Sequence, residues 1–163
     1  DKRHLFRMAG EHRVYRAGRR LFTAVLQGWR IRPVICYDLR FPIWCRSAGA
    51  GYDLLLVVAN WPAARREHWQ ALLVARAIEN QAWVVAVNRV GRDGRGLEYS
   101  GDSLVVDPWG AIRYRRTEDA AADRVQLSRA ALEECRSTFE FWKDADDELA
   151  APLKALPDEG RAV

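Results

Sequence analysis

The chain has 163 residues, of which 49% are hydrophobic and 29% are charged, and its formal net charge is +4 at pH 7. The length suits a single domain, and the composition is too apolar for a disordered chain. The longest apolar runs, Leu54 to Ala59 and Ala82 to Val87, are far shorter than the ~20 residues of a membrane span, so we expect no membrane association.

The cysteine and histidine pattern argues against several kinds of site. Cys36, Cys45 and Cys135 are too few and too scattered for a disulfide scaffold, and none forms a CxxC motif. No pair of histidines has the i, i+4 spacing of a helical metal site. We therefore expect a reduced, cytoplasmic protein with no metal and no other cofactor.

Charge is distributed unevenly along the chain. Residues 1–36 are strongly basic, and residues 118–163 are acidic. Two solvated surfaces that attract one another explain this pattern. A nucleic-acid groove is the alternative, but the chain lacks a continuous Lys/Arg helix and an RNP-like aromatic motif. We therefore expect no nucleic-acid partner.

The first elements in chain order are two strands and a short helix. Residues 21–26 and 29–37 are apolar and partly β-branched, and Gln27-Gly28 separates them. Pro33 cannot donate a ladder hydrogen bond, so the second strand is expected to be bulged or at a sheet edge near its middle. The helix is expected at about 39–48.

Two apolar strands flank the clearest helix. The unbroken apolar run 54–59 predicts a strand that is buried on both faces. Residues 67–81 predict a helix, because their apolar side chains recur at a helical spacing. Residues 83–88 predict another apolar strand. This order favours sheets covered by helices.

The last part of the chain predicts a hairpin and a final helix. Residues 91–101 contain four glycines and are typical of a loop. The remaining predicted elements are, in order, strands at 103–107 and 111–115 around the turn Asp107-Pro108-Trp109-Gly110, a short strand at 124–127, a helix capped by Ser128, and a charged C-terminal tail at 143–163.

Cys36 is the first candidate functional residue. It ends a predicted strand, and a helix is expected to start at Asp38. Such a turn exposes a side chain to free backbone N–H groups, which can lower the pKa of a thiol and hold an oxyanion. A buried structural cysteine is the alternative interpretation.

Several short motifs, taken together in this order and spacing, carry a family resemblance over about residues 2–115. They are Lys2-Arg3-His4-Leu5-Phe6, Cys36-Tyr37-Asp38-Leu39-Arg40-Phe41-Pro42, Ala59-Asn60-Trp61-Pro62, His68-Trp69, Arg76-Ala77-Ile78-Glu79-Asn80, Tyr99-Ser100-Gly101-Asp102-Ser103 and Asp107-Pro108-Trp109-Gly110. The set resembles the nitrilase superfamily, the carbon–nitrogen hydrolases. Within it, the likeness is greatest to the bacterial omega-amidases.

The resemblance implies a fold and an activity. The implied fold is a layered α/β structure, the α-β-β-α sandwich of the superfamily, which pairs into a homodimer. The implied reaction is hydrolysis of the amide of small 2-oxo dicarboxylic acid monoamides, such as 2-oxoglutaramate and 2-oxosuccinamate, to the 2-oxo diacid and ammonia. The alternative substrates within the superfamily are a peptide-like amide, a carbamoyl compound or a nitrile.

The resemblance also implies catalytic roles. Cys36 would be the nucleophile that forms a thioester. The Lys2 ammonium and the backbone N–H of Tyr37 would hold the oxyanion. Glu11 would be an accessory glutamate that helps to hold the lysine and the substrate. Without the resemblance, the sequence predicts only a surface glutamate at this position.

The substrate's free carboxylate calls for a cation in the pocket. Arg40 lies four residues after Cys36, and Arg65 follows the Trp61-Pro62 turn, so either arginine is a candidate. A structural or interface ion pair is the alternative for each arginine. Trp61 is a candidate pocket wall, although tryptophans are mostly core residues.

The sequence departs from the family pattern at the general base. That glutamate belongs to a region upstream of the lysine motif, and the chain starts one residue before this lysine. We therefore expect residues 1–163 to be the C-terminal part of a single hydrolase domain, with a sandwich that is incomplete at its N-terminus. A truncated, inactive fragment that dimerises is the non-enzymatic alternative.

Overall fold

The computed structural model describes residues 1–146. In this part of the chain, seven strands form one sheet: β1 (Ala24–Leu26), β2 (Trp29–Ile35), β3 (Leu54–Ala59), β4 (Trp83–Asn88), β5 (Val90–Arg92), β6 (Glu98–Val106) and β7 (Ile112–Thr117). Three α-helices accompany them: α1 (Pro42–Cys45), α2 (Arg66–Asn80) and α3 (Arg129–Thr138). Short 3₁₀ helices lie at Arg7–Ala9, Glu11–Arg13, Cys36–Arg40, Ala48–Ala50, Ala63–Arg65 and Phe141–Asp144.

The centre of the sheet is parallel. Strands β2, β3 and β4 run side by side in the same direction, and β1 and β6 add antiparallel at the two sides. Strands β5 and β7 both pair with the long strand β6. The carboxyl ends of β2, β3 and β4 therefore meet at one edge of the sheet, where α/β proteins commonly bind ligands.

Helix α2 covers one face of this sheet. Its buried side chains pack against alternate residues of the central strands, since successive strand residues point to opposite faces. The residues of this face and of the helix that meet in the main core are Leu55, Val57, Val84, Ala86, Leu104, Val106, Trp69, Leu73 and Ala77.

Among residues 1–146, the opposite face is covered at one end only. There, Leu132 of α3 packs against the residues that start β3 and β4. Toward the carboxyl ends of the strands, Ile35, Val58 and Val87 lie in register, and they are 36%, 46% and 53% exposed. The prediction that the run 54–59 is buried on both faces is therefore wrong for the carboxyl half of β3.

The central predictions of the sequence are confirmed, with small changes in bounds. Strands β1 to β4, helix α2 and the hairpin of β6 and β7 all form. Pro33 lies at an edge, as predicted. Strand β1 pairs with β2 only at Trp29 to Ile31, so no backbone N–H is required of Pro33 for pairing with β1. The turn Asp107-Pro108-Trp109-Gly110 closes through Gly110, whose φ of 89° suits glycine.

Three further predictions are wrong. The helix at 39–48 is instead a 3₁₀ turn followed by the short α1, because Phe41 precedes Pro42 and takes an extended conformation. The glycine-rich loop 91–101 contains β5 and the start of β6. Residues 124–127 form no strand, although Val125 and Leu127 pack against the face that α3 covers.

Two further predictions concern the membrane and the C-terminus. Of the helices that the structure describes, none is long and apolar enough to cross a membrane. The predicted tail at 143–163 falls largely outside the described residues; its first part completes the 3₁₀ helix Phe141–Asp144.

Candidate active site

A cleft of about 1030 Å³ opens at the carboxyl ends of β2 and β3. The 3₁₀ helices Cys36–Arg40 and Ala63–Arg65 and the first residues of the chain contribute its walls. All the site residues predicted from the sequence line this one cleft: Lys2, Glu11, Cys36, Tyr37, Arg40, Trp61 and Arg65. The structure therefore brings together residues that are up to about sixty positions apart in the chain.

Cys36 occupies the sharp turn between β2 and the following 3₁₀ helix. Its φ is +48°, a left-handed conformation that costs energy in a residue with a Cβ and that clusters at functional sites. Its side chain is partly exposed, and Sγ lies 3.8 Å from the carbonyl oxygen of Asn60. The other cysteines, Cys45 and Cys135, are buried.

The environment of Cys36 disfavours its ionised form. Burial raises the pKa of the thiol above its ordinary value. The backbone of Asn60 and the positive charge of Lys2 lower this pKa, but they do not cancel the effect of burial. The backbone N–H of Tyr37, in the turn itself, also lowers this pKa as the sequence suggested, but burial outweighs it, and forming the thiolate requires a proton acceptor.

Lys2 is fixed in the cleft by Glu11. The ammonium Nζ donates to both carboxylate oxygens of Glu11, at 2.8 and 2.5 Å, and the backbone N–H of Phe6 donates to the same carboxylate at 2.7 Å. Burial raises the pKa of the Glu11 carboxyl, but these hydrogen bonds outweigh it and hold the pKa below its ordinary value. Glu11 therefore stays ionised and orients the lysine.

Asp38 joins the lysine segment to the nucleophile turn. Its fully buried carboxylate accepts from the backbone N–H and Nδ1 of His4, at 2.8 and 2.9 Å, and more weakly from the amides of Arg3 and Ile35, at 3.4 and 3.3 Å. The His4 ring also stacks on Phe41, with 3.6 Å between ring centres. Lys2 and Cys36, which adjoin these residues, are thereby held in the same place.

Sequence reasoning missed this role of Asp38. The available signal was its position two residues after Cys36, where a carboxylate can cap the start of a helical turn. Its carboxylate also accepts hydrogen bonds from the backbone N–H groups of Arg3 and His4, more than 30 residues earlier, and no local sequence pattern predicts such tertiary contacts.

Arg40 ends the same 3₁₀ helix that begins with Cys36. Its guanidinium lies over the Trp61 ring, 4.7 Å from the ring centre, and its Nη2 lies 3.1 Å from Nδ1 of His68. Arg65 is held differently: its guanidinium lies 5.7 Å from the centre of the Phe6 ring. Both arginines thus present cations to the cleft next to aromatic surfaces.

Trp61 is a buried wall of the cleft. Its backbone exchanges two hydrogen bonds with the side chain of Asn88, at 2.7 and 3.0 Å, and its indole N–H donates to the carbonyl of Arg65 at 2.9 Å. These contacts tie the turn after β3 to the end of β4, so the wall is rigid.

The turn between β5 and β6 completes the cleft on its outer side. The carboxylate of Asp93 accepts from the backbone amides of Arg95 and Leu97, at 2.8 and 3.0 Å, and from the hydroxyl of Tyr99 at 3.0 Å. Sequence reasoning also missed this wall, because four nearby glycines predicted an unstructured loop.

The sequence model of the carbon-nitrogen hydrolases matches residues 1–138. The chain belongs to the carbon-nitrogen hydrolase family. It is 57% identical over 150 residues to the omega-amidase YafV of Escherichia coli strain K12, a match that covers 90% of this chain and 57% of that protein. It is 36% identical over 149 residues to a 2-oxoglutaramate amidase of Bacillus subtilis, covering 91% and 57%.

Solved structures support the same family assignment. A CN-hydrolase superfamily protein of Xanthomonas campestris, with an arsenic adduct in its active site, is 48% identical with a TM-score of 0.88, covering 90% of this chain and 58% of that one. A Nesterenkonia amidase mutant, with acrylamide added at its active-site cysteine, is 27% identical with a TM-score of 0.71, covering 85% and 54%.

These likenesses confirm the predicted family and its mixed α/β fold, a sheet with flanking helices, and they support the omega-amidase type. The chain spans a little over half the length of the curated relatives it matches.

Proposed function

We propose that the cleft is part of the active site of a cysteine-dependent amidase. It hydrolyses the omega-amide of small 2-oxo dicarboxylic acid monoamides, 2-oxoglutaramate and 2-oxosuccinamate, to the 2-oxo diacid and ammonia. The observation that carries the proposal is the placement of Cys36, in a left-handed turn, in one cleft with the fixed ammonium of Lys2. The names of the relatives, omega-amidase and 2-oxoglutaramate amidase, support this substrate class.

The first half of the reaction forms a thioester. The Cys36 thiol gives its proton to a base, and the thiolate attacks the amide carbonyl, so that a C–S bond forms and the carbonyl oxygen becomes an oxyanion. The tetrahedral intermediate collapses, the C–N bond breaks, and the base returns the proton to the leaving ammonia.

Deacylation repeats these steps with water. The base takes a proton from water, the hydroxide attacks the thioester, the C–S bond breaks to release the acid, and the base returns its proton to the sulfur to regenerate the thiol. The Lys2 ammonium and the Tyr37 backbone N–H, at the start of a 3₁₀ helix, stabilise both oxyanions. Glu11 acts on this reaction through Lys2, as a positioning residue.

We propose that the base is a glutamate contributed from outside residues 1–163, which would then be the C-terminal part of one hydrolase domain. Two of the carboxylates that line the cleft are committed to other contacts: Glu11 to Lys2 and Phe6, and Asp93 to its own turn. The match to 57% of the relatives' length and the exposed apolar end of the sheet agree with this proposal.

The assembly and location are also proposals. We propose a homodimer, the assembly that the family resemblance implies. We also propose a reducing, cytoplasmic compartment, because the reaction requires Cys36 as a free thiol and the three cysteines are unpaired. Sedimentation of the protein at several concentrations tests the dimer: a mass of one chain throughout would reject it.

The activity is tested by ammonia release from 2-oxoglutaramate, using the natural protein that carries this chain. We expect turnover that Cys36→Ala abolishes and that Cys135→Ala, a change at a buried thiol outside the cleft, leaves in place. Accumulation of a thioester at Cys36 under rapid quenching would add direct support. Turnover that survives Cys36→Ala would reject the proposed nucleophile.

The acidic substrate is tested at the two arginines. Replacing the carboxylate-binding arginine, Arg40 or Arg65, by Met should raise KM for 2-oxoglutaramate far more than for the neutral amide pentanamide. If both variants treat the two amides alike, the acidic-substrate proposal is wrong.

A further inference from the structure

The side chain of Arg40 is restrained on two sides, unlike that of Arg65, the other arginine that could bind the substrate carboxylate. Its guanidinium stacks on the buried Trp61 and contacts His68, which lies in the first turn of α2. In the part of the chain that the structure describes, the guanidinium of Arg65 has an aromatic neighbour but donates no hydrogen bond. A cation that is already oriented loses less side-chain entropy on binding a ligand, so Arg40 is the better prepared site.

The contact with His68 has a defined direction. A guanidinium has N–H donors and no acceptor, so Arg40 donates and Nδ1 of His68 accepts. The contact uses one of the five N–H donors of an arginine, which leaves others for a carboxylate.

We infer that His68 is a positioning residue that fixes Arg40 to bind the carboxylate of an acidic substrate. The inference rests on the proposed function, since it names what selects the substrate of that site. His68 is exposed and does not line the cleft, so it acts through Arg40 and not by touching the substrate. Because Cys36 and Arg40 are the two ends of one 3₁₀ helix, fixing Arg40 also sets the distance between the carboxylate and the nucleophile.

The inference is tested by a binding measurement that needs no turnover. Alkylation of Cys36 by iodoacetamide is followed by mass spectrometry while 2-oxoglutarate or pentanamide is added as protecting ligand. His68→Phe removes the acceptor and keeps a ring; it should raise the half-protecting concentration of 2-oxoglutarate about 3- to 10-fold, the range expected for loss of one hydrogen bond. Protection by pentanamide should stay unchanged.

Three further variants separate positioning from a merely structural role. His68→Asn keeps an acceptor near the position of Nδ1 and should restore protection by 2-oxoglutarate to within about twofold. In an Arg40→Met background, His68→Phe should have no further effect, because coupled residues are not additive. Glu67→Gln, at the preceding exposed position of α2, is the matched control and should leave protection unchanged.

Several outcomes would overturn the inference. These are unchanged protection by 2-oxoglutarate in His68→Phe, an equal loss for both ligands, an added loss in the Arg40→Met background, or no protection by 2-oxoglutarate in the unaltered protein. Absence of ammonia release would instead reject the proposed function, while the protection experiment still decides the role of His68.

Discussion

Replacing Asp38 by Asn should both destabilise the protein and weaken the influence of Lys2 on Cys36. One carboxylate oxygen of Asp38 accepts from His4, and the other accepts from the amides of Arg3 and Ile35. The asparagine keeps a carbonyl oxygen for His4 but turns an NH₂ group toward the two amides. Two part-buried N–H donors then lose their acceptor.

The cost follows from these contacts. Leaving a buried donor unsatisfied costs about 1–3 kcal/mol. The two lost bonds are long, 3.4 and 3.3 Å, and their donors are only part-buried, so the lower end of that range applies to each and the free energy of unfolding should fall by about 2 kcal/mol. This is a large share of the ~5–15 kcal/mol that is typical of a folded domain.

Urea unfolding and the pH dependence of Cys36 alkylation measure the two effects. The positive charge of Lys2 lowers the pKa of Cys36, so loosening its segment should move the midpoint of the alkylation profile to higher pH. Asp107→Asn is the control, because Asp107 is also buried and hydrogen-bonded but lies outside the cleft. It should lower stability and leave the alkylation profile in place. An Asp38→Asn protein with a stability change below ~0.5 kcal/mol and an unshifted profile would refute the reasoning.

Three other predictions concern reactivity, catalysis and acid stability. Limited alkylation should modify Cys36 before the two buried cysteines, and equal labelling of all three in the folded protein would argue against the nucleophile. Lys2→Ala should lower kcat for 2-oxoglutaramate about 10²–10³-fold, as loss of one oxyanion donor does; a near-normal kcat would remove this role. Burial raises the pKa of Asp53, but hydrogen bonds from two arginines outweigh it and hold the pKa below its ordinary value of 3.8. Asp53 therefore contributes stability that is present above pH 3.8 and is lost as the pH falls through the lower folded-state pKa. Asp53→Asn should make the free energy of unfolding, measured by urea at several acidic pH values, depend less steeply on pH. An unchanged slope would contradict this.

The parts of the fold that the sequence predicts are those with a local cause. The apolar runs of β3 and β4 and the helical spacing of α2 follow from burial, which acts on neighbouring residues in a regular way. The errors arise where a distant or side-chain contact decides. Asp93 binds the amides of its own turn and so orders a glycine-rich segment into the turn between β5 and β6. Residues 124–127 are apolar enough for a strand, but they pack against a face of the sheet and not at an edge.

The members of the candidate site could be predicted from the family motifs, and so could the contact of Glu11 with Lys2, but its other contacts could not. The family motifs name Cys36, Lys2 and Glu11, and the structure places all three in one cleft. The sequence does not show that Asp38 ties the lysine segment to the nucleophile, or that His68 contacts Arg40. These contacts join residues that are 28 to 35 positions apart, so no periodicity or short motif records them.

The charges that line the cleft separate two tasks of the proposed reaction: stabilising negative charge on the substrate and deprotonating Cys36. Burial raises the pKa of the Cys36 thiol, while Lys2, Arg40 and Arg65 line the same cavity as fixed or stacked cations. Such a site is prepared to stabilise an oxyanion and a carboxylate, which are charges that the substrate brings or develops. Ionising the thiol is a separate task for the proposed base. Because a thiol is less prone to oxidation than a thiolate, the raised pKa also favours the less reactive form of Cys36.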